Sequence, residues 1–445
     1  MSARFPRRLR QHYTVIPVLH QIVSVLHRYD PIRPVLSAPV TVIALATTTR
    51  RRVPVAAWAC LLSFTAFWLA QRAADVSMID LMVYRAEGET VRAGGDLYAL
   101  RTTEAHLPTT YPPFAALLFT PLTLLDVPDM RVLTTLGNLL LLVVFVALSL
   151  RLIEGDAPHA RVGTALGLSA LAVWCEPVWT TLRYGQINLL LGVLVLWDLS
   201  RRPGHRWAGV GIGVAAAIKL TPALFAVFLL ATGAAEALRR GPWRPAVRHA
   251  CVAAVSFSGA TLLAAVVLPR DSWRFWTRMV FEAGRVGLPE DTANQSLRGV
   301  LSRLLHTAEP GLWWAVAAVA TGVCGLATAV AAALRGERAW AVLCCAVTAL
   351  LVSPVSWSHH WVWCVPMLLL LGFDAVRRGG RGRWAVSGGA ALVFVSYALW
   401  WVPHGAGRLE LGQNYGQILL SALYVVTAFG FLLIGIRRWR TSRTA

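Results

Sequence analysis

The chain has 445 residues, of which 56% are hydrophobic and only 14% are charged, and its mean hydropathy is +0.57. Soluble domains carry about 25% charged residues, so this composition excludes an ordinary soluble protein and predicts a membrane protein. The net charge is +20, but the basic residues are dispersed among apolar runs, which disfavours nucleic-acid binding and indicates arginines at loop ends.

Apolar runs of membrane-spanning length recur along the chain. A bilayer core about 30 Å thick needs roughly 20 apolar residues per helix, and only helices or closed barrels satisfy the backbone inside lipid. Long Leu/Ala/Val blocks favour helices, so the sequence predicts an all-α polytopic membrane protein with about twelve transmembrane helices. The runs lie at 53–71, 112–126, 132–152, 162–182, 186–199, 207–232, 246–268, 312–334, 339–354, 361–375, 384–402 and 416–436.

Both ends of the chain are basic. The arginine-rich residues 1–52 predict a cytoplasmic arm with a short apolar helix near 37–48 and no cleavable signal peptide. The tail, 437–445, carries four arginines and is also expected in the cytoplasm. The transmembrane domain is therefore predicted at 53–436, with an even number of spans.

The middle of the predicted topology contains a contradiction. The segments 200–206 and 237–249 are both basic, yet they flank the single run 207–232. They cannot both face the cytoplasm if that run crosses once, so we expect one of the shorter runs to be re-entrant or broken. We see no convincing internal repeat, which disfavours an inverted-repeat transporter.

The first long polar segment, 73–111, begins with the stretch MIDLMVYRAEG at 78–88. Its mixture of charged and apolar residues predicts a helix along the membrane surface, with one face toward lipid and another toward a water-filled cavity. Asp80 is the candidate functional acid and Tyr84 follows it, although Asp80 could also be a helix N-terminal charge or part of a surface ion pair. Tyr111 precedes two prolines, which predicts an extended turn where the chain re-enters the lipid.

Polar groups within or beside spans are costly and are therefore functional candidates. Arg183, Gln186 and Asn188 lie in LRYGQINLLL between apolar runs, where the alternative is a helix-joining loop with capping groups. Lys219 is the only lysine in the chain and lies about twelve residues into an apolar run. Snorkelling to the interface is one explanation for Lys219, and binding of an anion is the other.

The second long polar segment, 269–311, contains the stretch TANQSLRGVLSRLL. Asn294, Gln295 and Ser296 precede its amphipathic part, which carries Arg298. Helix N-capping by Asn294 or Ser296 is expected in any case, and capping can coexist with substrate contact.

A histidine pair follows near the end of a later run, in SPVSWSHHWVW. Tryptophans such as Trp357 are routine at membrane interfaces. His359 and His360 are not explained in that way, and we take them as candidates for a polar cavity.

Taken in chain order, these motifs resemble glycosyltransferase family 87 of the GT-C superfamily, the polyprenyl-phosphate-mannose-dependent α-1,2-mannosyltransferases of actinobacteria. The resemblance covers roughly 75–430 and implies a GT-C-type bundle with amphipathic helices in the first long extracytoplasmic loop. The matching stretches are DLMVYRAEG…GGDLY, LPTTYPPFAALLFTPL, YGQINLLL, AAAIKLTP, NQSLRGVLSR and SPVSWSHHW.

The resemblance also implies roles. Asp80 corresponds to the general base of an inverting transfer, which deprotonates the acceptor hydroxyl as it attacks C1 of the sugar. His359, with His360 as a second candidate, orients the acceptor or binds the phosphate. The candidate phosphate cations are Lys219, Arg183 and Arg298. The remaining substrate-binding candidates are Tyr84, Tyr111, Gln186, Asn188, Asn294, Gln295, Ser296 and Trp357.

The implied partners are a polyprenyl phosphate mannose donor, a glycolipid or lipoglycan acceptor, and the bilayer of the plasma membrane, with the active site facing the extracytoplasmic side. The loops contain no Asp-x-Asp pair of the nucleotide-sugar type, and neither a metal site nor a cofactor is expected. Two other classes stay open. A lipid or solute transporter of the cell envelope would not obviously need the long amphipathic loop, and a structural partner in an envelope-assembly complex would not need an intact Asp80.

Overall fold

The computed structural model describes residues 53–155, 161–201, 204–240 and 245–441, so the predicted arm at 1–52 and its short helix near 37–48 lie outside the described residues. In chain order, the helices are α1 (Val53–Ala73), α2 (Ile79–Ala93), α3 (Pro113–Phe119), α4 (Val127–Glu154), α5 (Arg161–Ala172), α6 (Glu176–Tyr184), α7 (Asn188–Leu199), α8 (Val210–Ile218), α9 (Ala223–Arg240), α10 (Pro245–Val267), α11 (Pro269–Thr277), α12 (Leu297–Leu304), α13 (Gly311–Ala333), α14 (Arg338–Val352), α15 (Cys364–Arg378), α16 (Arg381–Val395), α17 (Tyr415–Ser421) and α18 (Leu423–Thr441).

Short elements connect these helices. The 3₁₀ helices are Thr120–Leu124, Met279–Phe281, Ala283–Val286, Ser358–Trp363, Ala398–Trp400 and Leu409–Gly412. Two strands, β1 (Arg101–Thr102) and β2 (Leu107–Pro108), form an antiparallel pair in which Arg101 lies opposite Pro108. The predicted tail at 437–445 begins inside α18, which continues to Thr441, so that domain boundary stays a prediction.

Several helices are suited to crossing a bilayer, and the chain is an all-α, multi-pass membrane protein. Within the described ranges, five helical segments are long and apolar enough, namely Val53–Ala73, Val127–Glu154, Pro245–Val267, Gly311–Ala333 and Ser358–Arg378. The number rises to seven if each of two bent pairs is one span, with bends of 82° between α5 and α6 and 68° between α17 and α18. The predicted count of about twelve is not confirmed, because other apolar runs form short or broken helices.

Proline explains the break within the predicted run 207–232. The helix α8 ends at Ile218, and α9 begins only at Ala223. Pro222 has no N–H to donate to the carbonyl of Ile218 and disfavours helical geometry at the residue before it. Lys219 consequently has an extended backbone, with φ −150° and ψ 126°. The break therefore falls in the long run 207–232, at the single lysine, and not in one of the shorter runs as expected.

The core is centred on α14. Every residue from Ala339 to Leu351 is buried, so this helix is enclosed on all sides, and it packs against α13 and α18. Beyond Val352 the chain leads directly into the segment that carries the histidine pair. A rigid central helix therefore fixes where those histidines lie.

The stretch quoted from the first polar segment is helical. In α2, the buried face contains Leu81, Tyr84 and Glu87, while Asp80 is half-buried. The helix ends at Gly94, whose φ of 67° is the left-handed conformation that commonly closes a helix. The buried side of α2 packs against the protein, and its location on a membrane surface stays a prediction.

Candidate functional site

Polar side chains from five separate segments meet at one end of the bundle. They come from α2, from the turn before α3, from the junction of α6 and α7, from the break between α8 and α9, and from the segment that follows α14. We call this cluster the candidate site. Its members are Asp80, Tyr84, Tyr111, Gln186, Asn188, Lys219, His359 and His360.

The Gln186 side chain links the acid to two tyrosines. Its Nε2 donates to Asp80 Oδ2 at 2.8 Å, and its Oε1 accepts from the Tyr84 hydroxyl at 2.8 Å. The Tyr111 hydroxyl lies 3.1 Å from the same Oε1 and 2.8 Å from the Tyr84 hydroxyl. The amide must point this way, because only its nitrogen can donate to a carboxylate. Asp80 is thus held by one oxygen, and its Oδ1 has no hydrogen-bond partner among the described residues.

Lys219 lies on the other side of the same network. Its Nζ lies 2.9 Å from His360 Nε2, 3.3 Å from Asn188 Oδ1 and 3.5 Å from the Tyr111 hydroxyl. An ammonium group has three donors and no acceptor, so with Lys219 protonated His360 Nε2 accepts and carries its proton on Nδ1. The cation therefore connects to Asp80 through Tyr111 and Gln186. Snorkelling and anion binding both stay predictions for Lys219.

The backbone of His359 is anchored from two directions. Its carbonyl accepts from Thr181 Oγ1 at 2.7 Å and from Asn188 Nδ2 at 2.9 Å. Its ring packs edge-on against Tyr184, with the ring centres 5.5 Å apart, and its Nε2 is buried without a hydrogen-bond partner among the described residues. A buried polar atom of this kind is costly, and a bound ligand can satisfy it.

Glu176, which the sequence analysis did not identify, supports the segment that carries the histidines. The buried Glu176 accepts from Ser358 Oγ at 2.9 Å and from Tyr424 at 2.7 Å. Thr180 and Trp400 donate to it as well, at 2.8 and 3.1 Å. This carboxylate fixes the residue just before the histidine pair. The sequence could have indicated this residue, since Glu176 is the only charged residue in the predicted run 162–182.

Two carboxyl groups lie seven residues apart on the buried face of α2. Burial raises the pKa of Asp80, while the bond from Gln186 and the charge of Lys219 act to lower it. Burial raises the pKa of Glu87 to about 8. Asp80 differs from Glu87 in having a hydrogen-bond donor and a cation nearby that oppose the effect of burial on its pKa.

The Asn294–Ser296 motif lies beside the candidate site, where it supports the segment before the histidines. Asn294 Oδ1 accepts from the backbone N–H of Ser356 at 3.0 Å, and the Gln295 N–H donates to the Ser356 carbonyl at 2.8 Å. Ser296 caps α12 by accepting from the N–H three residues later. Trp357 is half-buried and pairs with Asn294 through the backbone. Direct substrate contact by these four residues stays a prediction.

The two predicted arginines lie outside the hydrogen-bonded cluster. Arg183 is exposed. Arg298 lines a cleft of about 940 Å³, and its guanidinium lies 5.5 Å from the centre of the Trp314 ring. Arg101 and Arg285 line the same cleft, together with Pro108 and Pro354. The last two belong to the segments that carry Tyr111 and His359, and no member of the candidate site lines the cleft among the described residues.

The described residues contain no group of three or more His, Cys, Asp or Glu side chains that could hold a metal ion. What the candidate site offers is a carboxylate with one free oxygen, a nearby ammonium group and two imidazoles. Such a set can take a proton from a hydroxyl group and stabilise an anionic group that departs.

Comparison with known proteins identifies relatives of this chain. The sequence profile of glycosyltransferase family 87 matches residues 110–354. A polyprenol-phosphate-mannose-dependent alpha-(1-2)-phosphatidylinositol mannoside mannosyltransferase of Mycobacterium tuberculosis is 36% identical, over 67% of this chain and 71% of its own length. A corresponding phosphatidylinositol pentamannoside mannosyltransferase of Mycolicibacterium smegmatis is 34% identical, over 80% and 84%. No solved structure matches the chain significantly.

Gly185 allows Gln186 to reach Asp80, and its replacement by alanine is expected to destabilise the protein. The φ of Gly185 is +70°, and a Cβ there would lie 2.7 Å from Leu81 Cβ in α2. We expect a loss of roughly 1–3 kcal/mol from strain and overlap, measured as a lower midpoint of thermal unfolding in detergent. Gly137→Ala is the control, because its Cβ would meet no atom within 4 Å. Equal midpoints for both variants would contradict this account of Gly185.

Proposed function

Because the chain belongs to glycosyltransferase family 87, we propose that it transfers mannose from a polyprenyl phosphate donor to a phosphatidylinositol mannoside or a related lipoglycan, forming an α-1,2 bond. The family resemblance predicted from the sequence motifs is confirmed, and the chain is a glycosyltransferase. The main support for locating the reaction at the candidate site is the chain of hydrogen bonds from Asp80 through Gln186 and Tyr111 to Lys219.

Asp80 is the general base in this proposal. It takes the proton of the acceptor hydroxyl while that oxygen attacks C1 of mannose, and the bond from C1 to the phosphate oxygen breaks. The configuration at C1 inverts, and polyprenyl phosphate leaves with the bonding electrons. Support comes from Asp80 Oδ1, which has no hydrogen-bond partner among the described residues, and from Gln186, which holds the other oxygen and fixes the direction of the carboxylate.

The phosphate of the donor is placed against Lys219 and the two histidines. Negative charge grows on the phosphate oxygen as the bond to C1 breaks, and a fixed cation stabilises that charge. Lys219 is already oriented by Asn188, Tyr111 and His360, so little rearrangement is needed at the moment of reaction. The unsatisfied Nε2 of His359 is available to a substrate oxygen.

The cleft lined by Arg298 is proposed to hold the acceptor. Its volume of about 940 Å³ is sufficient for a mannosylated head group. Arg101, Arg285 and Arg298 outnumber the one acid, Glu282, among its described lining residues, and this net positive lining is suited to a phosphodiester. Acceptor and donor would then meet where the segment containing Tyr111 passes Asp80.

The finer topology is also part of the proposal. The short and broken apolar helices enter the bilayer beside the longer ones, which gives about twelve membrane segments with both termini in the cytoplasm. The polar segments 73–111 and 269–311 then lie on the extracytoplasmic side with the active site. Support comes from the arginines at the two chain ends and the positive-inside rule.

Asp80→Asn is expected to lower the rate of transfer on the order of 10²-fold or more, because the amide keeps the size and polarity of the side chain but cannot take a proton. The measurement is transfer of radiolabelled mannose from polyprenyl phosphate mannose to glycolipid by the purified variant. Glu87→Gln is the matched control, since Glu87 lies on the same face of the helix and its pKa is raised to about 8. A folded Asp80→Asn variant with near wild-type turnover excludes Asp80 as the base.

Lys219→Met is expected to raise the apparent KM for the donor more than that for the acceptor. A second effect follows from the charge. Lys219 lowers the pKa of Asp80, so its removal raises that pKa, and the activity lost as Asp80 becomes protonated is lost at a higher pH. Rate profiles against pH measure this shift, and Lys219→Arg should keep the acidic limb near its wild-type position. An unchanged donor KM and an unchanged limb would remove Lys219 from the site.

Sidedness can be measured with single cysteines in a background without the seven native ones. Ala93 and Glu309 are exposed and lie in the two long polar segments, while Arg206 is exposed in the loop between α7 and α8. On intact cells, a membrane-impermeant thiol reagent is expected to label cysteines at the first two positions but to label the third only after permeabilisation. The reverse pattern would place the candidate site in the cytoplasm.

A further inference from the structure

A second polar cavity lies at the end of the bundle opposite Asp80. Three helices connect the two ends. The helix α7 begins at Asn188 in the candidate site and ends at Leu199 in the wall of this cavity. Its 12 residues correspond to a length of roughly 18 Å. Likewise, α14 runs from Arg338 in the cavity wall toward the histidine segment, and α8 leads from the adjoining loop to Lys219.

The cavity has a volume of about 300 Å³ and a basic lining. Three arginines contribute to it, Arg201, Arg248 and Arg338, with His205 and His249 beside them. Among the described lining residues, Glu236 is the only acid. The cavity therefore carries an excess of positive charge, and two of its basic residues, His205 and Arg338, are exposed.

Each of the three arginines is fixed by the protein through one nitrogen. Arg338 Nη2 donates to the carbonyls of Leu199 at 3.0 Å and Arg201 at 2.9 Å. Arg248 Nη1 donates to the Gly204 carbonyl at 2.8 Å. Arg201 Nη1 lies 2.8 Å from a ring nitrogen of His205. A guanidinium has five N–H donors, so each keeps further donors for a ligand while its position is already set.

Two other features point to a bound molecule. The Nε2 atom of His249 is buried without a hydrogen-bond partner among the described residues, and a ligand oxygen can satisfy it. The rest of the wall is apolar and includes Phe228, Leu229 and Val342. A ligand that fits both parts is amphipathic, with an anionic head and a hydrocarbon body.

We propose that this cavity binds the phosphate of an anionic phospholipid, at a site separate from the one that carries out transfer. Arginine pairs with phosphate through parallel N–H bonds, and basic pockets between membrane helices are suited to lipid head groups. At about 300 Å³, the cavity admits a small head group and its glycerol rather than a mannosylated one. A lipid seated there would hold α7, α10 and α14 together and stabilise the helices that position Asn188 and the histidines.

The test uses the purified full-length chain in a neutral detergent and follows the midpoint of thermal unfolding. Phosphatidylglycerol, phosphatidylcholine and inorganic phosphate are titrated separately. We expect phosphatidylglycerol to stabilise the protein at concentrations at least tenfold below those at which phosphatidylcholine acts, and inorganic phosphate to have little effect. Equal stabilisation by the two lipids would overturn the proposal. Equal stabilisation by inorganic phosphate would replace the lipid with a soluble anion and overturn it as well.

Arg248→Gln is expected to weaken the response to phosphatidylglycerol about tenfold, as befits the loss of one charge-assisted contact. Arg206→Gln is the matched control, because Arg206 lies at the same end of the bundle, stacks on Trp207 and does not line the cavity. If Arg248→Gln does not fold, Arg201→Gln takes its place. An equal loss in the control would mean that only general surface charge is involved, which would overturn the proposal.

Discussion

The side-chain amide of Gln186 joins α2 to the junction between α6 and α7, and it adds to the direct bond between Tyr84 and Tyr111. Its oxygen accepts a hydrogen bond from the Tyr84 hydroxyl, and its nitrogen donates one to Asp80. One side chain thus serves as acceptor for a hydroxyl group and as donor to a carboxylate. Replacing it with glutamate would set two carboxylates against each other, and replacing it with a hydrocarbon would leave buried polar groups without partners. This contact helps to position α2 against the bundle, together with the close approach of Gly185 to Leu81. Arg85 adds bonds from α2 to the carbonyls of Leu122 and Leu125.

The candidate site is built where regular structure stops. Tyr111 precedes two prolines, Gln186 follows the last turn of α6, and Lys219 lies in the break before Pro222. An unbroken helix would cover these positions with its neighbouring turns and satisfy its own backbone. A break exposes polar groups and therefore requires partners from elsewhere in the chain. In an apolar environment those partners are scarce, which explains why the broken ends converge.

Much of the candidate site could be predicted from the sequence, because a polar residue among apolar ones is costly to keep. This reasoning identified Asp80, Gln186 and Lys219, which the structure brings together. It overlooked Glu176, whose role depends on donors far away in the chain. It also could not establish the helix count, because hydropathy measures the composition of a run and does not show bends such as the 82° between α5 and α6.

The sequence could not separate groups that face a ligand from groups that support the backbone. Asn294 and Gln295 have the residue types of a binding motif, yet Asn294 Oδ1 and the Gln295 backbone N–H pair with Ser356, in the segment before the histidines. The Gln295 side-chain nitrogen donates to the carbonyls of Thr292 and Ser421. Both uses require the same donors and acceptors, so composition alone does not distinguish them. Only the spatial arrangement shows that α12 is capped by Ser296 and that the neighbouring polar groups are engaged with the backbone.

Having a single lysine, deep among packed helices, gives this chain an unusual proteolytic property. A protease that cleaves only after lysine has one target in the 445 residues, and that target is enclosed by Asn188, Tyr111 and His360. Cleavage therefore requires the junction between α8 and α9 to open, and it divides the chain into two fragments of nearly equal length. The rate at which those fragments form is a direct measure of how often the centre of the protein unfolds locally.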